Sequence, residues 1–505
     1  MLVLTSEEMK RAEQAAVAQG TTMSRLMQLA GTALAQLVLR YGAPAGKQVL
    51  ILCGKGNNGG DGFICAGLLH RCGAKVTVAL AQREVKTDLA AQAIAKLPPE
   101  IPILRRPEQI FPALAQAEII VDAIFGFGFR GEPQGDVALL IEAVNARSVP
   151  VFSADLPSGA ECDTGRVEGV CVRAMHTAAF SALKPAHISY PAKRFCGEVH
   201  VCPAGIAPEL LRAQAKSCLL LDEAMMRSIL PKRNPEGNKG TFGKLLCVCG
   251  SMGMAGAARM AVEGALRCGV GLVYVAVPRE LYPILAPSLP QAVFLLLDEE
   301  EDGSLTEESR ARLRLTVGQM DACLVGCGLG RRAKDAVRIV LRCASCPVVL
   351  DADGLNIAAE NLSLLENRSC PLVITPHPGE MARLTGLSVS AVQDARLETA
   401  ALFAAKSRTI TVLKGAATVI AEPNAMLAVN PTGNAGMGKG GSGDLLAGML
   451  ASFLAQGVAP VQAARLAVFV HGWAGDLCAE EKTQYAMQPT DLIDYFPRIF
   501  KELLS

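Results

Sequence analysis

The stretch from Val49 to Leu80 leaves this chain the fewest ways to fold. Val49–Cys53 is a continuous apolar run, long enough for a buried strand and too short for a helix. Gly54–Gly62 reads Gly-Lys-Gly-Asn-Asn-Gly-Gly-Asp-Gly and predicts a turn. Phe63–Arg71 then predicts a helix and Val76–Leu80 a second strand. Strand, glycine-rich turn, helix and strand make a βαβ unit, whose strands run parallel and whose turn lies at the carboxyl edge of the sheet. Two more apolar runs, Ile119–Asp122 and Pro150–Asp155, each finish on Asp before Gly- or Pro-rich sequence. A parallel sheet therefore gathers Asn57, Asn58, Asp61, Asp122 and Asp155 at one rim, where open α/β sheets bind ligands.

Ahead of this unit, Thr5–Glu8 has capping-box spacing and predicts a helix to about Ala18. A second helix is expected from about Ser24 to Arg40, with Leu26, Leu29, Ala33 and Leu37 on one face. Both read as packing. The later half repeats the pattern of strand then polar exit. Lys244–Ser251, Gly271–Pro278, Ala322–Gly330, Pro347–Gly354, Leu372–Glu380 and Ile410–Gly415 are apolar runs that leave Ser, Gly, Asp, His or Lys at their ends. A second α/β domain with a mostly parallel sheet follows. The expected division is 1–214 and 215–505, and the basic loop Pro231–Gly243 could cover the second site.

A length of 505 residues with 50% apolar composition suits folded domains, about two to four by length alone. A net charge of +1 and 4% aromatics argue against nucleic acid or an acidic membrane as partner. No run of about 18 apolar residues predicts a membrane span, and the early acids Glu7 and Glu8 do not fit a signal peptide. Seventeen cysteines sit mostly in apolar runs, as thiols do in a reducing compartment, so a cytoplasmic protein is expected.

Gly438–Leu450 carries the sharpest chemistry of the second half. Gly438, Gly440, Gly441 and Gly443 precede Asp444 and an apolar helix from Leu445. Converging N–H groups and a helix N-terminus form an anion hole. A carboxylate at its mouth makes sense if the anion is transient and Asp444 takes a proton from an attacking hydroxyl. The bland alternative is a loop that caps a helix. Lys414–Thr418 offers a charge and a backbone turn to a nucleotide, and no P-loop motif is present. Gly326–Gly330 resembles a dinucleotide turn. His377, between two prolines, reads as a ligand contact. Asp351 and Asp353 either organise Mg²⁺, hold a substrate hydroxyl or cap a helix. In the first half, Asn58, Asp122 and Ser158 offer only oxygen to a hard cation. Asp155, before the rigid Leu156–Gly159, reads as a general acid or base, or as an N-cap.

These motifs, in this order, resemble the bifunctional NAD(P)H-hydrate repair enzymes, which join an epimerase to an ADP-dependent dehydratase. The resemblance runs nearly the full length. It rests on Gly54–Gly62, Val121–Gly126 and Asp155–Gly159 in the first half. In the second half it rests on Lys239–Gly243, Gly250–Ser251, Asp351–Asn356, Thr375–Glu380, Lys414–Thr418 and Gly433–Asp444. It implies a Rossmann-like epimerase domain over 1–214 and a ribokinase-like dehydratase domain over 215–505. It implies K⁺ held by Asn58, Asp122 and Ser158. The hydrate would contact Asn57, Asn58, Gly59, Gly60, Asp61, Gly126, Phe127, Gly128, Phe129, Arg130, Gly131, Glu132 and the catalytic Asp155. In the dehydratase domain the S hydrate would meet Ala255, Gly328, His377 and the catalytic Asp444. The nucleotide, ADP or ATP with Mg²⁺, would lie on Lys414, Gly415, Ala416, Ala417, Thr418 and Gly443. Substrates would be NADHX and NADPHX, and the assembly a homo-oligomer, tetramer or larger. Asn238 and Cys327 stand where the family usually has His and Pro. The competing expectation is a vitamin-precursor kinase fused to a nucleotide-sensing scaffold.

Overall fold

The structure, a computed structural model, describes residues 2–301 and 303–505. It divides into two compact units, Met1–Leu220 and Leu221–Ser505. The division falls after Leu220 rather than after Gln214, because Cys218–Leu220 is a strand paired antiparallel with Leu2–Val3.

The first unit is built on a parallel sheet in the order Ile103–Leu104, Lys75–Leu80, Gln48–Cys53, Ile119–Ala123, Val151–Ala154, His176–Phe180 and Glu198–Cys202. The chain enters at Gln48–Cys53, steps outward to Lys75–Leu80, then crosses to Ile119–Ala123 on the other side. The carboxyl end of Gln48–Cys53 is therefore the point where strand order reverses, the position at which such sheets open a crevice. Alternation along that strand separates the two cores. Val49 and Ile51 pack with Leu34, Val38, Phe63 and Leu69 on one face, while Leu50 and Leu52 pack with Ile110, Leu114 and Ile141 on the other.

One expectation is corrected. The helix after the first strand spans Asn57–Arg71, so Asn57, Asn58 and Asp61 sit in or beside its first turn and not in a loop before it. The glycines that read as a turn serve close packing instead. A Cβ on Gly59 would run into the carbonyl oxygen of Gly54, and one on Gly62 would lie 2.7 Å from Cys53 Sγ and 2.8 Å from Ala123 Cβ. Gly59→Ala is accordingly expected to destabilise the first unit by about 1–3 kcal/mol. Urea unfolding followed by circular dichroism checks this, and an unchanged midpoint would contradict it. The opening helix is Ser6–Ala18, with the reciprocal Thr5–Glu8 capping box in place, and the second is Met23–Gly42.

In the second unit the order is Leu427–Val429, Val419–Ala421, Ile410–Leu413, Leu372–Ile374, Val348–Leu350, Ala322–Val325, Lys244–Val248, Leu272–Pro278 and Val293–Leu297. The sheet is parallel from Ile410–Leu413 onward and antiparallel in the first two pairings. Helix Ser442–Ala455 lies against helix Ala255–Arg267 through glycine contacts. Cβ atoms on Gly448 and Gly264 would meet the carbonyls of Ala261 and Leu445. That contact fixes the helix N-terminus that carries Asp444. No helix among the described residues is long and apolar enough to cross a membrane.

Candidate active sites

In the first unit, the rim at the strand-order reversal opens into a cavity of about 750 Å³. Asn57, Asn58, Asp61, Gly126, Phe127, Gly128, Phe129, Arg130 and Asp155 line it. Gly59, Gly60, Gly131 and Glu132 are not among its lining residues. Gly59 and Gly60 are turned into the packing of their own helix, where a Cβ on Gly60 would meet Met27 at 2.6 Å.

Asp155 follows the strand Val151–Ala154 in the left-handed region, at φ 62. A non-glycine residue held there is strained and persists only where its surroundings fix it. They do so here: Lys184 Nζ donates to Asp155 Oδ1 at 2.5 Å, and the His187 ring nitrogen Nε2 is 2.7 Å from the Asp155 carbonyl oxygen. Lys184 is fully buried and also donates to the Phe180 carbonyl at 2.8 Å. The second carboxylate oxygen, Oδ2, is buried without a partner among the described residues. It is an acceptor waiting for a donor. Burial, with Asp155 and Glu13 adding repulsion, holds the Asp61 carboxyl well above its usual range and so favours its protonated form. Burial, then Asp155, raises Glu13 as well. Sequence reasoning missed Lys184 and Glu13. Neither lies in a glycine-rich motif, and the strand that precedes Lys184, His176–Phe180, is too polar to read as one.

Beside this cavity Asp122 is fully buried at the end of Ile119–Ala123. Its carboxylate accepts from Ser153 Oγ at 2.9 Å, Ser158 N at 2.8 Å, Ser158 Oγ at 2.5 Å and Ile124 N at 3.2 Å. Burial raises its pKa against those hydrogen bonds. Asn58 also borders the cavity: a Cβ on Gly126 would sit 3.1 Å from its Oδ1, and its Nδ2 is buried without a partner among the described residues.

In the second unit, Asp444 lies in the first turn of Ser442–Ala455, after Gly441 at φ 97. Three strand ends converge on it. Asp351 follows Val348–Leu350 and receives Lys414 Nζ, which follows Ile410–Leu413, at 2.7 Å. Cys327, after Ala322–Val325, sets its thiol 3.9 Å from Asp351 Oδ2. A Cβ on Gly443 would meet Lys414 Nζ at 3.1 Å, so the glycine leaves room for that ammonium. Burial and the nearby Asp351 push the Asp444 carboxyl up to about 6, while the Cys327 thiol, by hydrogen bond, and Lys414 pull it down. The site thus holds a half-buried carboxylate tuned close to neutrality, beside a cation and a helix N-terminus. The structure brings Cys327 into contact with both acids. The sequence alone marked it only as a departure from the family pattern.

The open choices at Asp351 and Asp353 divide. Asp351 is an ion-pair partner, whereas Asp353 begins helix Asp353–Glu360 and accepts from Gly330 N at 2.8 Å. His377 caps helix Pro378–Thr385 through Nδ1, which accepts from Gly379 N at 2.9 Å, and its side chain is half exposed. Gly415, Ala416, Ala417 and Thr418 form the turn between Ile410–Leu413 and Val419–Ala421. The buried Arg396 holds that turn by donating to the Leu413 and Lys414 carbonyls at 3.0 and 3.2 Å. Ala255 is the first residue of its helix, and Gly328 is tied to Ser251, whose Oγ donates to its carbonyl at 2.9 Å. The loop Pro231–Gly243 folds largely on itself: Asn238 Oδ1 accepts from Gly240 N at 2.8 Å, and Arg233 lies 4.2 Å over the Phe242 ring.

Comparison with known proteins agrees with this division. Residues 245–498 match the family described as NAD(P)H-hydrate dehydratase, and residues 23–186 the family described as the YjeF-related protein N-terminus. The chain is 38% identical to the bifunctional NAD(P)H-hydrate repair enzyme of Moorella thermoacetica, covering all of this chain and 97% of that one. It is 36% identical to the enzyme of the same description from Escherichia coli, over 98% of this chain and 93% of the relative. Among solved structures, an ADP/ATP-dependent NAD(P)H-hydrate dehydratase from Bacillus subtilis, co-crystallised with ATP/Mg²⁺, is similar at a TM-score of 0.50 and 35% identity. It spans 56% of this chain and 98% of its own.

Proposed function

We infer that the two rims repair damaged nicotinamide cofactors in succession, on the premise that the chain belongs to the family of bifunctional NAD(P)H-hydrate repair enzymes. The first, Rossmann-like unit epimerises the R and S hydrates. The second, ribokinase-like unit dehydrates the S hydrate at the expense of ADP or ATP. The observation that carries this reading is Asp444, a carboxyl pushed up to about 6 at a glycine-rich helix N-terminus.

In the second unit Asp444 takes the proton of the hydrate's hydroxyl as that oxygen attacks the terminal phosphoryl group of the nucleotide. The N–H groups from Gly440 to Gly443 face the transferring anion. Phosphate is a far better leaving group than hydroxide. The ring nitrogen lone pair helps expel it, the neighbouring carbon loses a proton, and NAD(P)H with orthophosphate remains. Mg²⁺ would come with the nucleotide phosphates and neutralise their charge. Lys414 is held by Asp351 at the cleft, where it offers a fixed cation to the nucleotide. His377, Ala255 and Gly328 would meet the hydrate, and Gly415 to Thr418 the nucleotide.

In the first unit the hydroxyl-bearing carbon is bonded to the ring nitrogen, so inversion needs only a proton removed and another supplied. Asp155 accepts the hydroxyl proton at Oδ2, which has no partner among the described residues, while Asp61, whose burial favours the protonated form, gives one to the ring nitrogen as the carbon–nitrogen bond opens. Closure on the other face returns both protons. Lys184 holds Asp155 in place. Asn58, Asp122 and Ser158 fit a K⁺ ion. Asn58 Oδ1, Asp122 and Ser158 can present oxygen, and the buried Asp122 has no cationic side chain among its described hydrogen-bond partners. K⁺ would supply positive charge beside the loop that begins at Ile124. Seventeen cysteines with free thiols support a reducing cytoplasm as the place of work.

Reduced-nicotinamide absorbance tests the reading. Full-length protein with mixed hydrate epimers, Mg²⁺ and ADP or ATP should return all of the NAD(P)H, with orthophosphate in equal amount. A phosphorylated product that accumulates without NAD(P)H would instead identify a plain kinase.

A further inference from the structure

The edge of the first unit's sheet carries a second constellation of ligating groups that takes no part in the rim chemistry. His176 begins the strand His176–Phe180, and Glu198 and His200 lie on the neighbouring strand Glu198–Cys202. The parallel ladder pairs His176 with Glu198 and Ala178 with His200. Residues two apart on a strand share a face, so all three side chains project from the same side of the sheet.

Their atoms converge. His176 Nδ1 and His200 Nε2 are 3.1 Å apart. Glu198 bridges them, with Oε2 at 3.5 Å from His176 Nδ1 and Oε1 at 3.7 Å from His200 Nε2. Tetrahedral coordination with metal–ligand bonds of about 2.0–2.1 Å sets ligand atoms roughly 3.3 Å apart. The observed spacings bracket that value. The rings are also held before any ion arrives. Tyr41 stacks 4.6 Å from His176 and lies tilted 4.9 Å from His200, and Phe152 stacks 5.3 Å from His176. The two imidazole side chains are 12% and 18% exposed and the carboxylate 63%, so the site is walled on the protein side and open to solvent through Glu198.

We propose that His176, Glu198 and His200 bind a divalent metal of the zinc class. The ligand set is two neutral imidazoles and one carboxylate, and a water molecule would take the fourth position. The ion would clasp the last two strands of the sheet together beside the helix Met23–Gly42, which carries Tyr41. Its role is structural, away from the cavity that holds Asp155.

Titration of chelator-treated, full-length protein with Zn²⁺ against a chromogenic competitor tests the site. Because the thiols also take zinc, the readout is the difference between the wild type and two variants, His200→Ala and Glu198→Gln. The wild type should bind one more equivalent than His200→Ala, and Glu198→Gln should weaken that equivalent by about 10-fold or more. Co²⁺ in the same site should give visible ligand-field bands without thiolate-to-metal charge transfer. Zn²⁺ should raise the melting temperature of the wild type and not of His200→Ala, with the epimerase and dehydratase rates unchanged. Should His200→Ala fail to fold, Glu198→Gln, altered at an exposed carboxylate, and an anomalous zinc peak between the two imidazoles in soaked crystals decide the matter. Equal stoichiometry and affinity in all three proteins, or no such peak, would overturn the proposal and leave a plain histidine–histidine hydrogen bond.

Discussion

Asp444→Asn is expected to lower nucleotide-dependent dehydration by about 10²–10⁴-fold, the usual contribution of a positioned general base. Asn keeps the shape and a hydrogen bond to Cys327 but cannot accept the hydroxyl proton. The pH profile adds a second readout. A base must be ionised to act, and the Asp444 carboxyl stands at about 6, so kcat/KM in the wild type should fall as pH drops through about 6. The sign follows from the cause: burial and the nearby Asp351 disfavour the anion, so protonation comes earlier than for an ordinary Asp. In Asp444→Asn that acid limb should vanish along with most of the rate. Epimerisation, measured by exchange between R and S hydrates, should be untouched. A variant that keeps dehydration within a few-fold of wild type would remove Asp444 from the chemistry.

Asp155→Asn should produce the mirror result. Epimerisation is expected to drop by about 10²–10⁴-fold, while the second unit still consumes S hydrate at its normal rate. With a mixed hydrate pool, NAD(P)H recovery should then stop at the S fraction, apart from slow spontaneous epimerisation. Asn is preferred over Ala because Lys184 is fully buried, and stranding it would cost about 3–5 kcal/mol and confuse catalysis with folding. Lys184→Met probes the same pair from the other side. It removes the cation that fixes Asp155 at φ 62 and should slow epimerisation without touching dehydration. Unchanged epimerisation in Asp155→Asn would assign the proton transfers to another group, with Glu13 and Asp61 next in line.

Much of this architecture is legible in the chain itself. Strands such as Val49–Cys53 and Ile119–Asp122 are unbroken runs of branched aliphatics, and only a buried parallel sheet has use for them. Once the sheet is parallel, the Asp or Gly at each strand end must reach one rim, and so Asp122 and Asp155 could be singled out, while Asp444 is marked by the glycine-rich start of its helix. What stayed hidden depends on contacts distant in sequence. Lys184 meets Asp155 across 29 residues and Lys414 meets Asp351 across 63. Each pair joins two strand exits whose register no local pattern reveals. The helix start at Asn57 was hidden for another reason. Glycine needed for close packing looks the same in sequence as glycine needed for a turn. His377 reads as a ligand contact, and the structure adds that it caps a helix, a role that its rigid loop marks equally well.

The nine residues Gly54–Gly62 also bear on how such a chain can drift over time. Gly54, Gly59 and Gly62 are each blocked from gaining a methyl group by a different neighbour: the Ile124 carbonyl, the Gly54 carbonyl and Cys53 Sγ. Asn57, Asn58 and Asp61 are exposed to a different demand, because each borders the cavity. Lys55 and Gly56 border the same cavity, but Gly56 has open space around its missing Cβ and Lys55 is solvent-facing. Steric crowding therefore leaves 55 and 56 open to substitution, and only the ligand's demand opposes change there. The motif would look uniform to a reader of sequences, yet two unrelated pressures hold it, one from steric crowding beneath the helix and one from the ligand above it.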